Sequence, residues 1–126
     1  MRYLALDVGE RRIGLAVGYD SFGIARPLPT LRRRSLAADM RTIADVARRE
    51  EAAALVIGLP RTLAGAEGRQ ALRVRRFAAA AAGLGLPVSL HDERNTTVEA
   101  ARLGAKDLDA GAATVLLEDF LASRRP

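Results

Sequence analysis

Apolar residues run almost unbroken from Tyr3 to Val8, and only Asp7 interrupts them. Such a run reads as a central strand covered on both faces. The turn Gly9-Glu10-Arg11-Arg12 separates it from a second apolar segment, Ile13–Gly18, and so short a connection predicts an antiparallel hairpin. In that second segment Gly14, Ala16 and Gly18 put three minimal side chains on one face, which predicts a close approach there. Pro27 and Pro29 bracket Leu28 and confine Pro27–Leu31 to a sheet edge, because proline has no N–H for the ladder.

The period then changes. Ser35 can cap a helix running to about Glu50, with Leu36, Met40, Ile43 and Ala47 as its apolar stripe. Asp39 falls in its first turn and Arg48 and Arg49 in its last, each suited to the helix dipole. Ala54–Ile57 is a short buried strand, followed by the loop Gly58–Gly68 and a helix from about Glu67 to Ala82 that buries Val74, Phe77 and Ala81. Gly83 and Gly85 end that helix. Pro87–His91 is another strand, Thr96 and Glu99 form a capping box for a short helix to Leu103, and a last helix runs from near Asp107 to about Ala122. The order β-β-β-α-β-α-β-α-α predicts an α/β fold: a five-stranded mixed sheet, three antiparallel strands and then β-α alternation, with helices on both faces.

The chain of 126 residues suits a single domain over 1–126, with Arg124-Arg125-Pro126 as a short basic tail. Apolar residues make up 49%, which argues against disorder. There is no Cys, which excludes disulfides, thiolate metal sites and a cysteine nucleophile. The single histidine, His91, excludes sites needing several imidazoles. The longest uncharged stretch past the first strands, Phe77–Leu90, contains Gly83, Gly85 and Pro87 and is too short to span a bilayer. No signal peptide is evident either, so a cytoplasmic protein without a membrane partner is expected.

Twenty basic residues against fifteen acidic give a net charge of +5. That excess favours a polyanionic partner, although a GC-rich genome also writes arginine freely. Position is more informative than number. Arg11 and Arg12 lie in the turn just after Asp7, and Arg69, Arg73 and Arg76 recur at helical spacing. Arg32-Arg33-Arg34 adds a third cluster, equally readable as a solvated run.

Three carboxylates stand where a core residue is expected. Asp7 closes the most buried strand, although an acid there could also cap the turn at Gly9. Asp92 and Glu93 follow the strand Val88–Leu90, and only one of the two can point where Asp109 points. Asp109 opens a helical stripe continued by Ala113, Leu116 and Phe120, so it should point toward the sheet. Ligands of a doubly covered sheet bind outside the carboxyl ends of its strands. Converging acids there repel unless a cation sits among them, and hard oxygen donors select Mg²⁺ or Mn²⁺. Two such ions about 4 Å apart can clamp both oxygens of a phosphodiester displacement.

Taken in order, Asp7-Val-Gly-Glu-Arg-Arg-Ile-Gly-Leu-Ala, Ala25-Arg-Pro-Leu-Pro, Val56-Ile-Gly-Leu-Pro, His91-Asp-Glu-Arg-Asn-Thr-Thr-Val-Glu-Ala and Asp109-Ala-Gly-Ala-Ala-Thr-Val-Leu-Leu resemble the YqgF/RuvX family. The resemblance covers nearly the whole chain. It implies an RNase H-like fold and a metal-dependent nuclease that matures the 5′ end of pre-16S ribosomal RNA. A Holliday junction resolvase acting on DNA is the alternative. By this resemblance Asp7, Glu93 and Asp109 would be the catalytic, metal-binding acids, with Asp92 as fallback. Arg11, Arg12, Arg69, Arg73, Arg76 and Arg94 would hold the nucleic acid, with RNA favoured. Asn95 replaces the family's usual Leu, and Ala64 precedes Gly65 where an Asp is usual.

Two rival classes remain open at this point. The sugar-kinase and actin superfamily shares an Asp-x-Gly hairpin but needs two such subdomains. A non-catalytic RNA-binding module would use the arginines, yet it leaves the inward Asp109 without a task and lacks aromatics for base stacking. Monomer and homodimer are both compatible with the sequence. A two-fold dimer would suit junction cleavage.

Overall fold

In β1 (Arg2–Val8) successive side chains point to opposite faces of a sheet, and both faces are buried. Leu4, Leu6 and Val8 enter one core, while Tyr3 and Ala5 enter another. The computed structural model describes residues 1–21, 23–60, 68–93 and 108–124, with the side chains of Leu108 and Asp109 outside that description. Within it, β1 is the centre of a five-stranded sheet in the order β3-β2-β1-β4-β5. Its neighbours are β2 (Arg12–Tyr19), β3 (Ala25–Arg32), β4 (Ala54–Pro60) and β5 (Val88–Glu93). Strand β2 is antiparallel to both β1 and β3, whereas β1, β4 and β5 run parallel. The expected mixed sheet is therefore present.

Helices α1 (Leu36–Arg49) and α2 (Arg69–Ala81) cover the face of Leu4, Leu6 and Val8. Helix α3 (Leu108–Ser123) covers the other through Ala113, Leu116, Leu117, Phe120 and Leu121. The face of β2 that carries Gly14, Ala16 and Gly18 is the one under α3. A Cβ on Gly18 would come within 3.3 Å of Leu117 Cδ2 and 2.7 Å of the Ile24 carbonyl oxygen, which accounts for the minimal side chain.

Both prolines lie on edge strand β3, where the missing N–H costs no ladder bond. Their neighbourhood carries a bulge: Ile13 pairs with Leu31, but Leu15 pairs with Leu28. Strands β4 and β5 run further than their apolar residues alone predict, because main-chain pairing continues through Leu59↔Asp92 and Pro60↔Glu93. At the end of α2 the chain tightens into a 3₁₀ turn over Ala82–Leu84, and Gly85 supplies the left-handed residue (φ 86°) that stops it. The expected helix Thr96–Leu103, most of the loop between Gly58 and Gly68, and Arg94, Asn95 and Asp107 lie outside the described residues.

Ser35 caps α1 as expected, its hydroxyl accepting from the Ala38 amide at 3.1 Å. Leu36, however, is not on the buried stripe; it is 44% exposed at the sheet margin. Asp39 is buried instead, at 1% exposure. Its carboxylate accepts from the Arg34 amide at 3.1 Å and meets Arg33 Nε at 3.5 Å. Arg33 in turn donates to the Gly9 carbonyl and lies over the Phe77 ring, 5.4 Å from its centroid. One ion pair thus ties the β1–β2 turn, α1 and α2 together.

All three helices begin at the edge where β1, β3, β4 and β5 end. For α3 the direction follows from Phe120, late in the helix, packing edge-on to Tyr3 at the start of β1. Asp39→Ala should cost about 2 kcal/mol, because Arg33 is left without its buried partner yet keeps some solvent. Urea denaturation should show a lower midpoint with an unchanged slope; an unaltered midpoint would mean that the pair contributes nothing.

Candidate active site

Asp7 lies next to the end of β1, on the side of Tyr3 and Ala5, and so faces α3. It is half-buried and pairs in register with Gly14 of β2. On its other side the ladder ends at Leu6↔Ile57, so one step further places Gly58 of β4 beside Asp7. Strands lie about 4.8 Å apart. Asp7 therefore stands between two glycines, with no neighbouring Cβ to crowd its carboxylate.

The register of β5 decides between the two adjacent acids. Gly58 pairs with His91 and Pro60 with Glu93. Paired residues of parallel strands share a face, so His91 and Glu93 project toward α3, whereas Asp92 projects the other way. Independent contacts agree. The His91 ring meets Phe120 of α3 edge-on at 5.6 Å, and its Nε2 lies 2.6 Å from Asp119 Oδ2. Glu93 folds back over β4: a Cβ on Gly58 would stand 2.6 Å from Glu93 Oε2 and 3.1 Å from Leu116 Cδ2. The Glu93 carboxylate thus occupies the space that Gly58 leaves open, one strand away from Asp7.

Asp109 lies in the first turn of α3 at the carboxyl edge, and its side chain is outside the described residues. By helical spacing its position continues the stripe of Ala113, Leu116 and Phe120, all buried against the sheet. Among the described residues no three acidic or imidazole side chains form a metal-sized group. The structure thus sets Asp7 and Glu93 on the α3 face of the sheet, to either side of Gly58, and the backbone of Asp109 in the first turn of α3 at the same edge.

The predicted arginines divide between the two faces. Arg12 begins β2 with the alternation that faces α3, and both Arg11 and Arg12 are exposed. Arg69, Arg73 and Arg76 belong to α2, across the sheet from Asp7 and Glu93, with Arg69 and Arg73 in the turns nearest the carboxyl edge. Arg73 donates to Gln70 Oε1 at 2.7 Å, and Gln70 Nε2 donates to the Val8 carbonyl at 2.7 Å. That strap fixes the start of α2 to the end of β1. Arg94 lies outside the described residues.

Sequence reasoning misses Gly58, Gln70 and Asp39. Gly58 reads as loop because the strand pattern ends with the aliphatic run. Asp39 carries a usable signal, since it stands four residues before Ile43 and seven before Val46 and so shares their stripe.

Comparison with known proteins agrees with this architecture. Residues 1–123 match the family model described as RuvX, Holliday junction resolvase. A protein of Anaeromyxobacter sp. (strain Fw109-5), named "Putative pre-16S rRNA nuclease", is 44% identical over 98% of both chains. Among solved structures, Thermus thermophilus RuvC in complex with a Holliday junction substrate superposes with a TM-score of 0.61 at 16% identity, covering 98% of this chain and 95% of that one. The Fowlpox virus resolvase with Holliday junction DNA gives 0.63 at 10% identity, covering 98% of each chain. The fold is thus the RNase H-like fold of the resolvases.

Gly58→Ala should push the Glu93 carboxylate away from Asp7 while the sheet persists. A crystal structure of the variant should show Glu93 displaced, with a melting temperature within about 4 °C of wild type. An unmoved Glu93 with a much lower melting temperature would assign Gly58 to packing against Leu116 alone.

Proposed function

This chain belongs to the RuvX family, and from that membership we propose that it is a nuclease that hydrolyses phosphodiester bonds in the 5′-end maturation of pre-16S ribosomal RNA. The observation that supports the proposal is the register that sets Asp7 and Glu93 on one face of the sheet, to either side of Gly58, at the edge where α3 starts. A module that only binds a polyanion has no use for two carboxylates on that face.

The donor set fits a hard divalent cation. The donors are carboxylate oxygens, the chain has no thiol, and the glycines leave room beside Asp7. Asp7, Glu93 and Asp109 would hold Mg²⁺ or Mn²⁺; Asp92 faces the opposite side and drops out of the set. When bound, such an ion lowers the pKa of water and offsets charge on the pentacoordinate phosphorus.

The protein's own part is placement. Asp7 is held by a strand packed on both faces, so its carboxylate keeps one direction relative to the scissile phosphate. Glu93, folded over Gly58, is set by its strand register and by the bulk of Leu116. Arg11 and Arg12 in the turn after Asp7 would take flanking phosphates, with Arg69, Arg73, Arg76 and Arg94 extending the contact. Contacts of this kind position a backbone without reading its sequence.

The RNA reading draws on a relative that matches this chain end to end at 44% identity and carries the ribosomal name. Cleavage of four-way DNA junctions is the second reading, favoured by the description of the family model. It would require a homodimer presenting two sites, whereas trimming of one RNA strand needs only a monomer.

Labelled single-stranded RNA, single-stranded DNA and a four-way junction should be compared with Mg²⁺, Mn²⁺ or a chelator. RNA should be cut with metal and spared with chelator; a cut confined to the junction would transfer the proposal to the second reading. Asp7→Asn and Glu93→Gln should each lower cleavage by about 100-fold or more while binding persists. Asp92→Asn should change it little. Full cleavage by Asp7→Asn would end the proposal.

A further inference from the structure

On the α1 side of the Gly9–Arg12 turn lies an open cleft of about 520 Å³. Five arginines line it, Arg11, Arg32, Arg33, Arg34 and Arg73, against two acids, Glu10 and Asp39; Arg32 pairs with Arg12 in register, so its side chain leaves the strand on the α3 side. Asp39 is already committed to Arg33 and to the Arg34 amide. Arg33 is likewise held in the fold by the Gly9 carbonyl and the Phe77 ring. Four arginines remain. Arg34 donates to Thr42 Oγ1 and Arg73 to Gln70 Oε1, both neutral partners. Arg11 and Arg32 make no side-chain hydrogen bond or ion pair among the described residues, and neither does Glu10.

Guanidinium groups gathered in a concavity repel one another and raise the local potential, so a bound anion lowers the energy of the site. The start of α1, through Ser35 and Leu36, opens on the same cleft and adds the positive end of a 14-residue helix. Arginine forks match the paired oxygens of a phosphodiester. An open trough with several separated forks suits an extended polyanion better than one enclosed ion. The turn separates the cleft from the side of the acids: Arg12 stands on its α3 side, and the adjacent Arg11 lines the cleft.

Building on the nuclease reading, we infer that this cleft grips a backbone phosphate of the nucleic acid outside the cleavage site. The substrate then crosses the carboxyl edge over the Gly9–Arg12 turn, with its scissile bond on the α3 face and a flanking phosphate on the α1 face. Arg34 is the residue of that second grip that no other part of the site uses.

The test is equilibrium binding of a fluorescein-labelled single-stranded RNA with chelator present, measured over a range of salt, so that cleavage plays no part. Arg34→Gln should bind several-fold more weakly than wild type. Its slope of log affinity against log salt should fall by about 0.7 for the phosphate left without its arginine. Arg49→Gln, at the far end of α1, removes equal charge and should leave the slope unchanged. Circular dichroism should show both variants folded. An unchanged slope in the Arg34 variant, or an equal drop in the Arg49 control, would overturn the inference. Neither result touches the nuclease reading, which stands or falls with cleavage by Asp7→Asn.

Discussion

A strand sends its side chains alternately to its two faces, and in β1 both faces are packed. Leu4 and Leu6 are locked against α1 and α2, and Tyr3 and Ala5 against α3. Asp7 inherits its direction from these four residues. It cannot turn to the other side without carrying a core with it, because a slip of one residue exchanges every buried group. The same alternation in β5, fixed by the pairing of His91 with Gly58, delivers Glu93 to the same face. The site is thus assembled by strand register, and neither acid needs a loop to aim it.

Much of this is legible in the chain itself, because apolar runs and turn residues report burial directly. The hairpin, the edge position of the prolines, the capped first helix and the inward acid of β1 all follow from such local signals. The choice between Asp92 and Glu93 does not. It depends on how β5 registers against β4, a pairing between residues more than thirty positions apart. The alternation of Val88–Glu93 is a poor guide to that parity, since neither of its faces is fully buried. The role of Gly58 is hidden for a related reason. A glycine after an aliphatic run looks like a loop until the acid that folds over it is known.

The buried pair of Arg33 and Asp39 separates two kinds of arginine within one run of three. Arg33 serves the architecture, joining the hairpin turn to two helices, and is thereby withdrawn from any ligand. Its neighbours Arg32 and Arg34 stay at the surface, carried by the same stretch of backbone. Charge counting treats the three as equivalent. Burial does not, and an acid inside the first turn of α1 decides which of them is consumed.

The shared starting edge of α1, α2 and α3 has a consequence that outlasts any side chain. Each helix presents roughly half a positive charge at its beginning. Three such ends border the rim where the strands finish, so part of the attraction for anions is written into peptide groups that neither titrate nor mutate. Stripped of its arginines, that rim would still set three positive helix ends beside the carboxylates of Asp7 and Glu93.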